Sequence, residues 1–461
     1  MNPETGLPVH VHIVGIGGSA TSGLAKLLRE WGHVVTGSDH DASLQSDFKE
    51  HDIMFFQNHH ASHLSKEVEL VIRSVAVPED NPEIVEAKRR KAQLMLYSEC
   101  LGRLSSRRKT IAVAGTHGKT STTGILTSIF LAAHRDPTVI IGGELDSIGG
   151  SNWRKGTGQD FIVEACEFQR SFLELQPSCG IITNIELDHP EIYSDLDNVV
   201  DTFREFLERF HPDSPVVIPV ELEDRLKGAG DVKPISFGSG EGSGWRGRVQ
   251  WKNGNRTIEV TEDGMFRLEA QLNVPGLHAI LNTTAAAALS ANLGIELQQI
   301  QQGIEEFQGV KRRFEKRMVI DGVDWYEDYA HHPTEIHHTL AGARELYPDR
   351  KIWALFQPHQ ATRLNAFLEQ FADSFSDADE VIVLPVYSVR EDSREFPIDL
   401  CEQLVRLLRL KTMRAQTLGF KQVIHDLPEL LKAGDVVFSL GAGNNDEIGR
   451  QISSSRDGVV A

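Results

Sequence analysis

The stretch Ala114-Gly115-Thr116-His117-Gly118-Lys119-Thr120 decides how the rest of the chain is interpreted. It follows the β-branched run Lys109–Ala114 and precedes Ser121–Ala133, in which apolar residues have helical spacing. This order of strand, tight loop and helix is typical of a phosphate-binding site, because the backbone N–H groups of the loop and the positive N-terminal end of the helix face the same anion. Lys119 adds a charge near the terminal phosphates, and the Thr120 hydroxyl can bind Mg²⁺. The alternative is a glycine-rich turn with a surface lysine.

This loop is shorter than the general phosphate-loop pattern. That pattern has its first glycine five residues before the second. Here Val113 occupies that position, so Gly115 is the first glycine of the loop. We expect the loop to bind the phosphates of a nucleoside triphosphate through its own residues, which are Gly115, Thr116, His117, Gly118, Lys119 and Thr120.

Length and composition describe a globular protein of several domains. At about 150 residues per domain, 461 residues predict three. The net charge of −19 disfavours binding to nucleic acid and to anionic membrane surfaces. The cysteines lack the paired spacing of a zinc site or a disulfide framework, which indicates a reducing compartment; they are Cys100, Cys166, Cys179 and Cys401. Because no apolar run approaches the roughly 20 residues of a membrane span and a strand begins close to Met1, we expect a cytoplasmic protein.

A second glycine-rich turn, Gly15-Ile-Gly-Gly18-Ser19, lies near the start of the chain. It connects a predicted strand, His10–Gly15, to a predicted helix, Leu24–Glu30. The next strand, Val34–Asp39, ends in an acid about twenty residues after the glycines. This layout predicts a pyrophosphate at the helix N-terminus and Asp39 near a ribose. Taken alone it indicates NAD, but a UDP-type ligand is the alternative because any nucleoside diphosphate fits the same helix end.

The first domain continues with further α/β elements. Strands are predicted at Glu69–Ser74 and near Tyr97, and a charged helix, Pro82–Lys91, lies between them. We expect this domain to end near Ser106.

Polar residues follow two strands predicted beside the phosphate loop, Asp160–Ala165 and Cys179–Asn184. Glu164 lies at the carboxyl end of the first, and His189 follows the second. Because parallel strands end at the same edge of a sheet, these groups can complete a Mg²⁺ site with Thr120. The alternatives are a helix-capping or surface acid at Glu164 and a structural histidine at His189.

The remainder of the central domain contains two further candidate groups. Val249–Val260 and Met265–Leu272 alternate in polarity and predict an exposed hairpin pair. Asn282, in an alanine-rich helix, carries both the donor and the acceptor that an adenine edge requires. One of the adjacent Arg312 and Arg313 can reach the transferred phosphoryl group, unless the pair is only a basic linker.

The last part of the chain predicts another open α/β sheet. A hairpin spans Met318–Asp328, and Pro333 suits the first turn of a helix, Thr334–Tyr347. The remaining predicted elements are strands Lys351–Phe356, Glu380–Pro385 and Asp435–Leu440, and helices Leu364–Phe375 and Leu400–Arg409. Arg363 follows the first of these strands, where a guanidinium can hold a small carboxylate; the alternative is a surface salt bridge. The adjacent His331 and His332 lack further ligands at zinc-site spacing.

Taken together, these motifs resemble those of the Mur ligases of peptidoglycan synthesis, over essentially the whole chain. The shared motifs are Gly-Ile-Gly-Gly, Ala-Gly-Thr-His-Gly-Lys-Thr, Glu-Ala-Cys-Glu, Asn-Ile-Glu-Leu-Asp-His, Lys-Arg-Arg-Phe-Glu, Asp-Tyr-Ala-His-His-Pro-Thr-Glu and Phe-Gln-Pro-His. The resemblance implies three α/β domains: a Rossmann-like UDP-N-acetylmuramate domain at 1–106, a P-loop ATPase domain at 107–312, and a Rossmann-like, amino-acid-binding domain at 313–461.

The resemblance also implies roles for individual residues. Lys119, Arg313 and His331 would be catalytic, with His331 accepting the proton of the amino-acid ammonium group. ATP would contact the phosphate loop together with Asn282, Arg313 and Asp328, and Mg²⁺ would be bound by Thr120, Glu164 and His189. The sugar nucleotide would contact Gly15, Gly17, Gly18, Ser19, Asp39, Ser74 and His117. The amino acid would contact His331, His359 and Arg363.

The implied activity is ATP-dependent and Mg²⁺-dependent formation of an amide bond between the lactyl carboxylate of UDP-N-acetylmuramate and an amine. Gln357-Pro-His359 with Arg363 favours L-alanine as the acceptor, and the alternative within the family is a recycled tripeptide. Two alternatives lie outside the family. They are an NAD-dependent oxidoreductase, which leaves the phosphate loop unexplained, and a nucleotide-switched binding protein, which leaves Arg363 unexplained.

Three positions depart from the family pattern. Cys166 stands where an aspartate is usual. Ala279 stands where an asparagine is usual, which removes one expected adenine contact. Gln360 stands where an arginine is usual, which leaves Arg363 as the single arginine for the amino-acid carboxylate.

Overall fold

The structure of the protein is a computed structural model that describes residues 1–252, 254–388 and 399–457. By their contacts the residues form two compact units. The first unit comprises Met1–Ile185, Asp197–Gln271 and Leu281–Gln308, and the second comprises Glu186–Leu196, Leu272–Ile280 and Gly309–Ala461. Within the described ranges, no helix has both the length and the apolar character needed to cross a membrane.

The first sheet of the first unit is entirely parallel. Its strands are β1 (His10–Val14), β2 (Val34–Asp39), β3 (Met54–Gln57), β4 (Leu70–Arg73) and β5 (Gln93–Leu96), and its helices are α1 (Ser19–Glu30), α2 (Gln45–Glu50), α3 (Pro82–Arg90) and α4 (Tyr97–Ser105). The strand order is β3-β2-β1-β4-β5. Because the winding reverses beside β1, the turn that follows this strand lies where open α/β sheets bind ligands.

The second sheet of the first unit holds the phosphate loop at its centre. Its strands are β6 (Lys109–Ala114), β7 (Thr138–Leu145), β8 (Ser151–Arg154), β9 (Asp160–Ala165), β10 (Cys179–Ile182), β11 (Ser214–Pro219), β12 (Val232–Gly238), β13 (Trp245–Lys252), β14 (Asn255–Glu262) and β15 (Met265–Gln271). In the order β15-β14-β13-β12-β11-β10-β6-β9-β7-β8, β6 lies between β10 and β9. The carboxyl ends of these three parallel strands therefore meet at one edge.

The helices along this part of the chain are α5 (Lys119–Ala132), α6 (Leu196–Leu207), α7 (Glu223–Leu226), α8 (Leu277–Asn292) and α9 (Leu297–Glu306). Short 3-10 segments occur at Ala42–Leu44, Ala61–His63, Asp146–Ile148, Phe168–Glu174 and Val220–Leu222. α5 begins directly after Gly118 and is buried on nearly every face. Its N-terminus is thereby fixed behind the phosphate loop, which is where an anion is stabilised.

The second unit contains a mixed six-stranded sheet. Its strands are β16 (Glu315–Ile320), β17 (Val323–Asp328), β18 (Ile352–Phe356), β19 (Glu380–Val383), β20 (Arg414–Thr417) and β21 (Val436–Leu440), and its helices are α10 (Pro333–Leu346), α11 (Ala361–Ala366), α12 (Leu368–Asp373), α13 (Leu400–Leu410), α14 (Phe420–Leu430) and α15 (Asp446–Asp457). The order is β16-β17-β21-β18-β19-β20. Successive residues of β18 pack into different cores, Ala354 and Phe356 into one and Trp353 and Leu355 into the other, so helices cover both faces.

The α/β class with parallel-rich sheets is confirmed, and most predicted elements are present within a few residues of their expected bounds. The segment Val249–Val260 was wrong as a single element: it spans the end of β13 and most of β14, and β13, β14 and β15 form an antiparallel meander. The single helix expected at Leu364–Phe375 is divided at Phe367 into α11 and α12. The prediction omitted β3, β7, β8, β12 and β20. The domain boundaries at 106 and 312 stay a prediction.

Candidate functional site

The phosphate loop has a backbone that only glycine adopts without strain. Gly115 has a φ of +136°, and a Cβ atom there would lie 2.0 Å from the Thr183 hydroxyl oxygen. Gly118 has a φ of +80°, and a Cβ atom there would lie 2.7 Å from the side-chain oxygen of Asn282. The loop is thus a cradle that any side chain at these two positions would fill, which fits the binding of phosphate by backbone N–H groups.

Lys119, the first residue of α5, has its ammonium held beneath the loop. Its Nζ donates to the carbonyl oxygens of Gly115 at 2.5 Å and Thr116 at 2.9 Å. It also forms an ion pair of 2.9 Å with Glu167, whose side chain is only 4% exposed. Burial alone would lower the pKa of Lys119, but the Glu167 carboxylate outweighs it and raises that pKa, so the side chain is cationic.

Sequence reasoning missed Glu167, although it is the last residue of the Glu-Ala-Cys-Glu motif. The signal lay in its position three residues after Glu164, just beyond the carboxyl end of β9. Because β9 is next to β6, residues directly after β9 approach the phosphate loop.

Thr120 and Glu164, two of the predicted metal ligands, lie together in the first unit. The Thr120 hydroxyl donates to Glu164 Oε1 at 3.0 Å, and the N–H of Gly142 on β7 donates to Glu164 Oε2 at 2.8 Å. Both side chains offer oxygen atoms, which are the ligands Mg²⁺ prefers. The donor set therefore fits Mg²⁺.

His117 is fixed by residues that sequence reasoning also missed. Its N–H donates to the Asn184 side-chain oxygen at 2.9 Å, and its carbonyl oxygen accepts from Asn184 Nδ2 at 2.9 Å and from the Thr183 hydroxyl at 2.5 Å. Thr183 and Asn184 directly follow β10, the other neighbour of β6. This clamp holds the middle of the phosphate loop from the next strand.

Asn282 lies beside the phosphate loop and is 5% exposed. Its oxygen faces Gly118, and its Nδ2 has no hydrogen-bond partner among the described residues. A buried amide nitrogen without an acceptor is costly, so it is available to an acceptor on a ligand. This arrangement fits a nucleotide contact close to the loop.

The glycine turn after β1 is held by the end of β2. The Asp39 carboxylate accepts from the Gly17 N–H at 2.9 Å, and a Cβ atom at Gly17 would lie 2.9 Å from that carboxylate. Gly15 has a φ of +77°, and Gly18 and Ser19 start α1 without a side-chain cap. Ser74, which follows β4, donates its N–H to the Val14 carbonyl oxygen at 3.2 Å. The residues predicted for the sugar nucleotide here thus lie around one helix N-terminus and strand edge.

In the second unit, Arg363 is neither exposed nor a surface salt bridge. Its Nε and Nη2 bind the two oxygens of Asp188 at 2.8 and 3.2 Å, and its Nη1 lies 3.2 Å from His359 Nδ1. The side chains of Arg363 and Asp188 are 4% and 7% exposed. Burial disfavours the charged carboxyl, but Arg363 holds the pKa of Asp188 well below its usual range.

His331 and His359 complete this cluster, with ring centroids 5.7 Å apart. The structure thus brings together the three residues predicted to bind the amino acid. Burial lowers the pKa of His331 to about 3, although the Glu335 carboxylate opposes this. The imidazole is therefore neutral at pH 7 and is a weak base. It is better suited to hydrogen bonding with the amino acid than to accepting the proton of its ammonium group.

Asp328 and Arg313 occupy different environments within the second unit. The Asp328 carboxylate accepts from the N–H groups of Phe314 and Ala330 and from the Thr339 hydroxyl, and burial raises its pKa. Arg313 lies over the Tyr329 ring at 5.0 Å, with its Nη1 3.8 Å from Glu335. Asp328 thus accepts three hydrogen bonds, whereas the ion pair of Arg313 with Glu335 is long.

His189, the third predicted metal ligand, belongs to the short Glu186–Leu196 segment of the second unit. It has a φ of +55°, and its Nδ1 lies 3.1 Å from Glu191 while its Nε2 lies 3.7 Å from Asp188. A positive φ is uncommon for a residue other than glycine.

The three departures from the family pattern have different surroundings. Cys166 is exposed, and Ala279 is buried in α8. Gln360 precedes α11 with a φ of +71°, and its N–H donates to the Tyr387 carbonyl oxygen at 3.0 Å.

Three family profiles match the chain in succession. They are described as Mur ligase family, catalytic domain, at residues 10–109; Mur ligase middle domain, at 113–290; and Mur ligase, glutamate ligase domain, at 312–443. The phosphate loop lies within the middle match, and Arg363 lies within the last.

Curated relatives are similar over nearly their whole length. UDP-N-acetylmuramate--L-alanine ligase of Clostridium beijerinckii is 35% identical over 94% of this chain and 95% of its own, and that of Alkaliphilus metalliredigens is 36% identical over 94% and 95%. The structure of the UDP-N-acetylmuramate-alanine ligase of Thermotoga maritima matches with a TM-score of 0.81 at 29% identity, covering 98% of this chain and 99% of that one. A murein peptide ligase of Psychrobacter arcticus matches with a TM-score of 0.72 at 25% identity, covering 97% and 98%. With this phosphate loop, these strand-end acids and similarity along the full length, the chain belongs to the Mur ligase family.

Proposed function

We propose that the protein is an ATP-dependent ligase that joins L-alanine to the lactyl carboxylate of UDP-N-acetylmuramate. The observation that carries this proposal is the full-length similarity to enzymes of that name, and it is supported by a phosphate loop whose Gly115 and Gly118 leave room for a ligand. The two alternatives outside the family, an NAD-dependent oxidoreductase and a nucleotide-switched binding protein, explain neither feature as well.

The reaction has two steps. The lactyl carboxylate attacks the γ-phosphorus of ATP, which forms an acyl phosphate and releases ADP. The amine of L-alanine then attacks the acyl carbon, and inorganic phosphate leaves from the tetrahedral intermediate. Phosphate is a far better leaving group than the hydroxide that the carboxylate itself would have to lose.

The first step depends on groups that hold and neutralise phosphate. The loop N–H groups and Lys119 would bind the phosphates, and Arg313 would stabilise the charge on the transferred group. Thr120, Glu164 and His189 would hold Mg²⁺, which when bound neutralises charge on the phosphate oxygens. The second step needs the amine placed against the acyl carbon, and His331, His359 and Arg363 are the candidates for this.

The tripeptide is the second candidate acceptor. The murein peptide ligase matches this structure with a lower TM-score than the L-alanine enzyme does, 0.72 against 0.81. This difference favours the single amino acid.

The test of the proposed function is phosphate release with ATP, UDP-N-acetylmuramate and a panel of L-alanine, glycine, L-serine and the tripeptide. We expect L-alanine to give the highest kcat/KM and a product that carries one added alanine. Release with the tripeptide alone would favour the recycling activity. Release without any acceptor would favour a nucleotide switch, and nicotinamide-dependent redox activity would favour the oxidoreductase.

We expect Glu164→Gln to raise the apparent Mg²⁺ activation constant about tenfold or more, because one charged oxygen ligand is lost while the shape is kept. The measurement is initial rate against Mg²⁺ concentration at saturating ATP, together with Mn²⁺ binding followed by electron paramagnetic resonance. Glu174→Gln is the control, because Glu174 is an exposed residue at the end of the 3-10 segment Phe168–Glu174 and is not one of the predicted metal ligands. An unchanged Mn²⁺ affinity in Glu164→Gln would remove this residue from the metal site.

A further inference from the structure

Glu83, in the first turn of α3, is a fully buried carboxylate to which the proposed reaction assigns no role. Its side chain is 0% exposed, and it accepts hydrogen bonds from the Ser38 hydroxyl, from His63 Nδ1 at 2.8 Å and from the His60 N–H at 3.2 Å. Two further imidazoles face it: His12 Nε2 lies 3.5 Å away and His59 Nδ1 lies 3.4 Å away. This is an unusual concentration of donors on one acid.

A charge in this position is costly unless it is fully hydrogen-bonded. Burial opposes ionisation of Glu83, but the neighbouring His12 and His59 imidazoles and the Ser38 hydroxyl outweigh it and lower the pKa of this carboxyl group. Glu83 is therefore an anion. Its partners come from β1, from the end of β2 and from the segment after β3, so one carboxylate connects three neighbouring parts of the first sheet.

Ser38 links this carboxylate to the glycine turn. Its hydroxyl donates to Glu83 and also lies 2.9 Å from His59 Nδ1. Its carbonyl oxygen accepts from the N–H of Gly15 at 2.9 Å and of Ile16 at 3.1 Å. One residue thus binds Glu83 through its side chain and the start of the glycine turn through its backbone.

The residue after Ser38 strengthens the same connection. Asp39 accepts from the Gly17 N–H through its side chain and from the Asn58 N–H, at 2.7 Å, through its carbonyl oxygen. Asn58 begins the segment that carries His59, His60 and His63. The end of β2 is therefore held between the Glu83 cluster on one side and the glycine turn on the other.

The position of such a turn matters because its N–H groups bind a diphosphate only when they point at it. Binding groups have to be held within about 0.5 Å of their productive positions. The glycines cannot fix their own backbone, since they have the greatest conformational freedom of any residue. Neighbouring residues therefore have to hold the turn in place, and Ser38 does so through the hydrogen bonds that its carbonyl oxygen accepts from Gly15 and Ile16.

We propose that Glu83 is a positioning residue for the sugar nucleotide: acting through Ser38, it fixes the glycine turn that receives the ligand's diphosphate. This inference rests on the proposed function, because it takes UDP-N-acetylmuramate as the ligand. Glu83 does not itself touch the nucleotide. A purely structural role would instead predict loss of stability without selective loss of sugar-nucleotide affinity.

The test is calorimetric titration of the full chain with UDP-N-acetylmuramate and, separately, with ADP and Mg²⁺. We expect Glu83→Gln to weaken sugar-nucleotide binding at least about tenfold, which corresponds to ~1.4 kcal/mol. The Kd of ADP and the kcat at saturating sugar nucleotide should stay within about twofold of the parent, because the phosphate loop is a separate site. KM for UDP-N-acetylmuramate should rise in parallel with its Kd.

Glu86→Gln is the matched control, since Glu86 lies one turn further along α3 and pairs only with Arg89 and Arg90 of its own helix among the contacts described. Ser38→Ala is the second variant, because it breaks the link to Glu83 while leaving the carboxylate its contacts with His63 and His60. It should reproduce the selective loss, and it carries the test if Glu83→Gln does not fold. Melting temperatures of all variants are measured alongside.

Equal sugar-nucleotide affinity in the parent and in a folded Glu83→Gln or Ser38→Ala variant would overturn the inference. So would an equal loss of sugar-nucleotide and ADP binding, which would indicate general destabilisation. Failure of the parent itself to bind UDP-N-acetylmuramate would instead contradict the proposed function, so the two failures are distinguishable.

Discussion

Lys119→Ala is expected to reduce the single-turnover rate of ligation at saturating ATP by about 10²–10³-fold or more, the usual cost of removing a preorganised group that stabilises transition-state charge. Lys119 is the first residue of α5, and its Nζ donates to the Gly115 carbonyl oxygen of the phosphate loop. Among the described contacts, no other lysine side chain reaches this loop. The measurement is quenched-flow detection of the amide product. Substantial ligation by the variant would contradict the assignment of the phosphate loop.

This substitution also removes the lysine that forms an ion pair with the buried Glu167 carboxylate, which lowers stability independently of any effect on catalysis. The double variant Lys119→Ala with Glu167→Gln separates the two effects. We expect it to regain the melting temperature but not the ligation rate. Lys252→Ala is the control, because it removes a lysine that pairs with Glu269 at the surface of the same unit.

Arg363→Ala is expected to destabilise the protein by about 3–5 kcal/mol, because it strands the Asp188 carboxylate in a buried position. If the guanidinium also binds the amino-acid carboxylate, KM for L-alanine should rise about tenfold or more, the loss of one charge-assisted contact. Denaturant unfolding gives the first quantity, and initial rates at saturating ATP and sugar nucleotide give the second. An unchanged KM would remove Arg363 from the amino-acid site.

The double variant Arg363→Ala with Asp188→Asn distinguishes stability from binding. Neutralising Asp188 should restore most of the free energy of unfolding, whereas KM for L-alanine should remain high. Arg414→Ala is the control: its side chain is 78% exposed and pairs with Glu380 at 3.3 Å, so we expect a change within about 0.5 kcal/mol.

The strands around the phosphate loop follow from local sequence. The runs Lys109–Ala114 and Asp160–Ala165 are continuous apolar strands, and both appear with the predicted bounds. Gly115 and Gly118 have positive φ angles, which residues with a side chain rarely adopt. Where local signals conflicted or were weak, as at the β13–β14 hairpin and at β20, the prediction failed, because tertiary packing decides short segments.

The sequence by itself determined the α/β class, the phosphate loop, the strand-end acid Glu164 and the family, because each depends on residues close together in the chain or on several motifs in order. Only the tertiary structure decided which charges meet. Asp188 and Arg363 are 175 positions apart, and Glu83 is 45 positions from Ser38. Such contacts depend on strand order and side-chain burial, which a periodic pattern does not contain. Burial makes each of these contacts stronger than the same pair would be at the surface, because water screens it less.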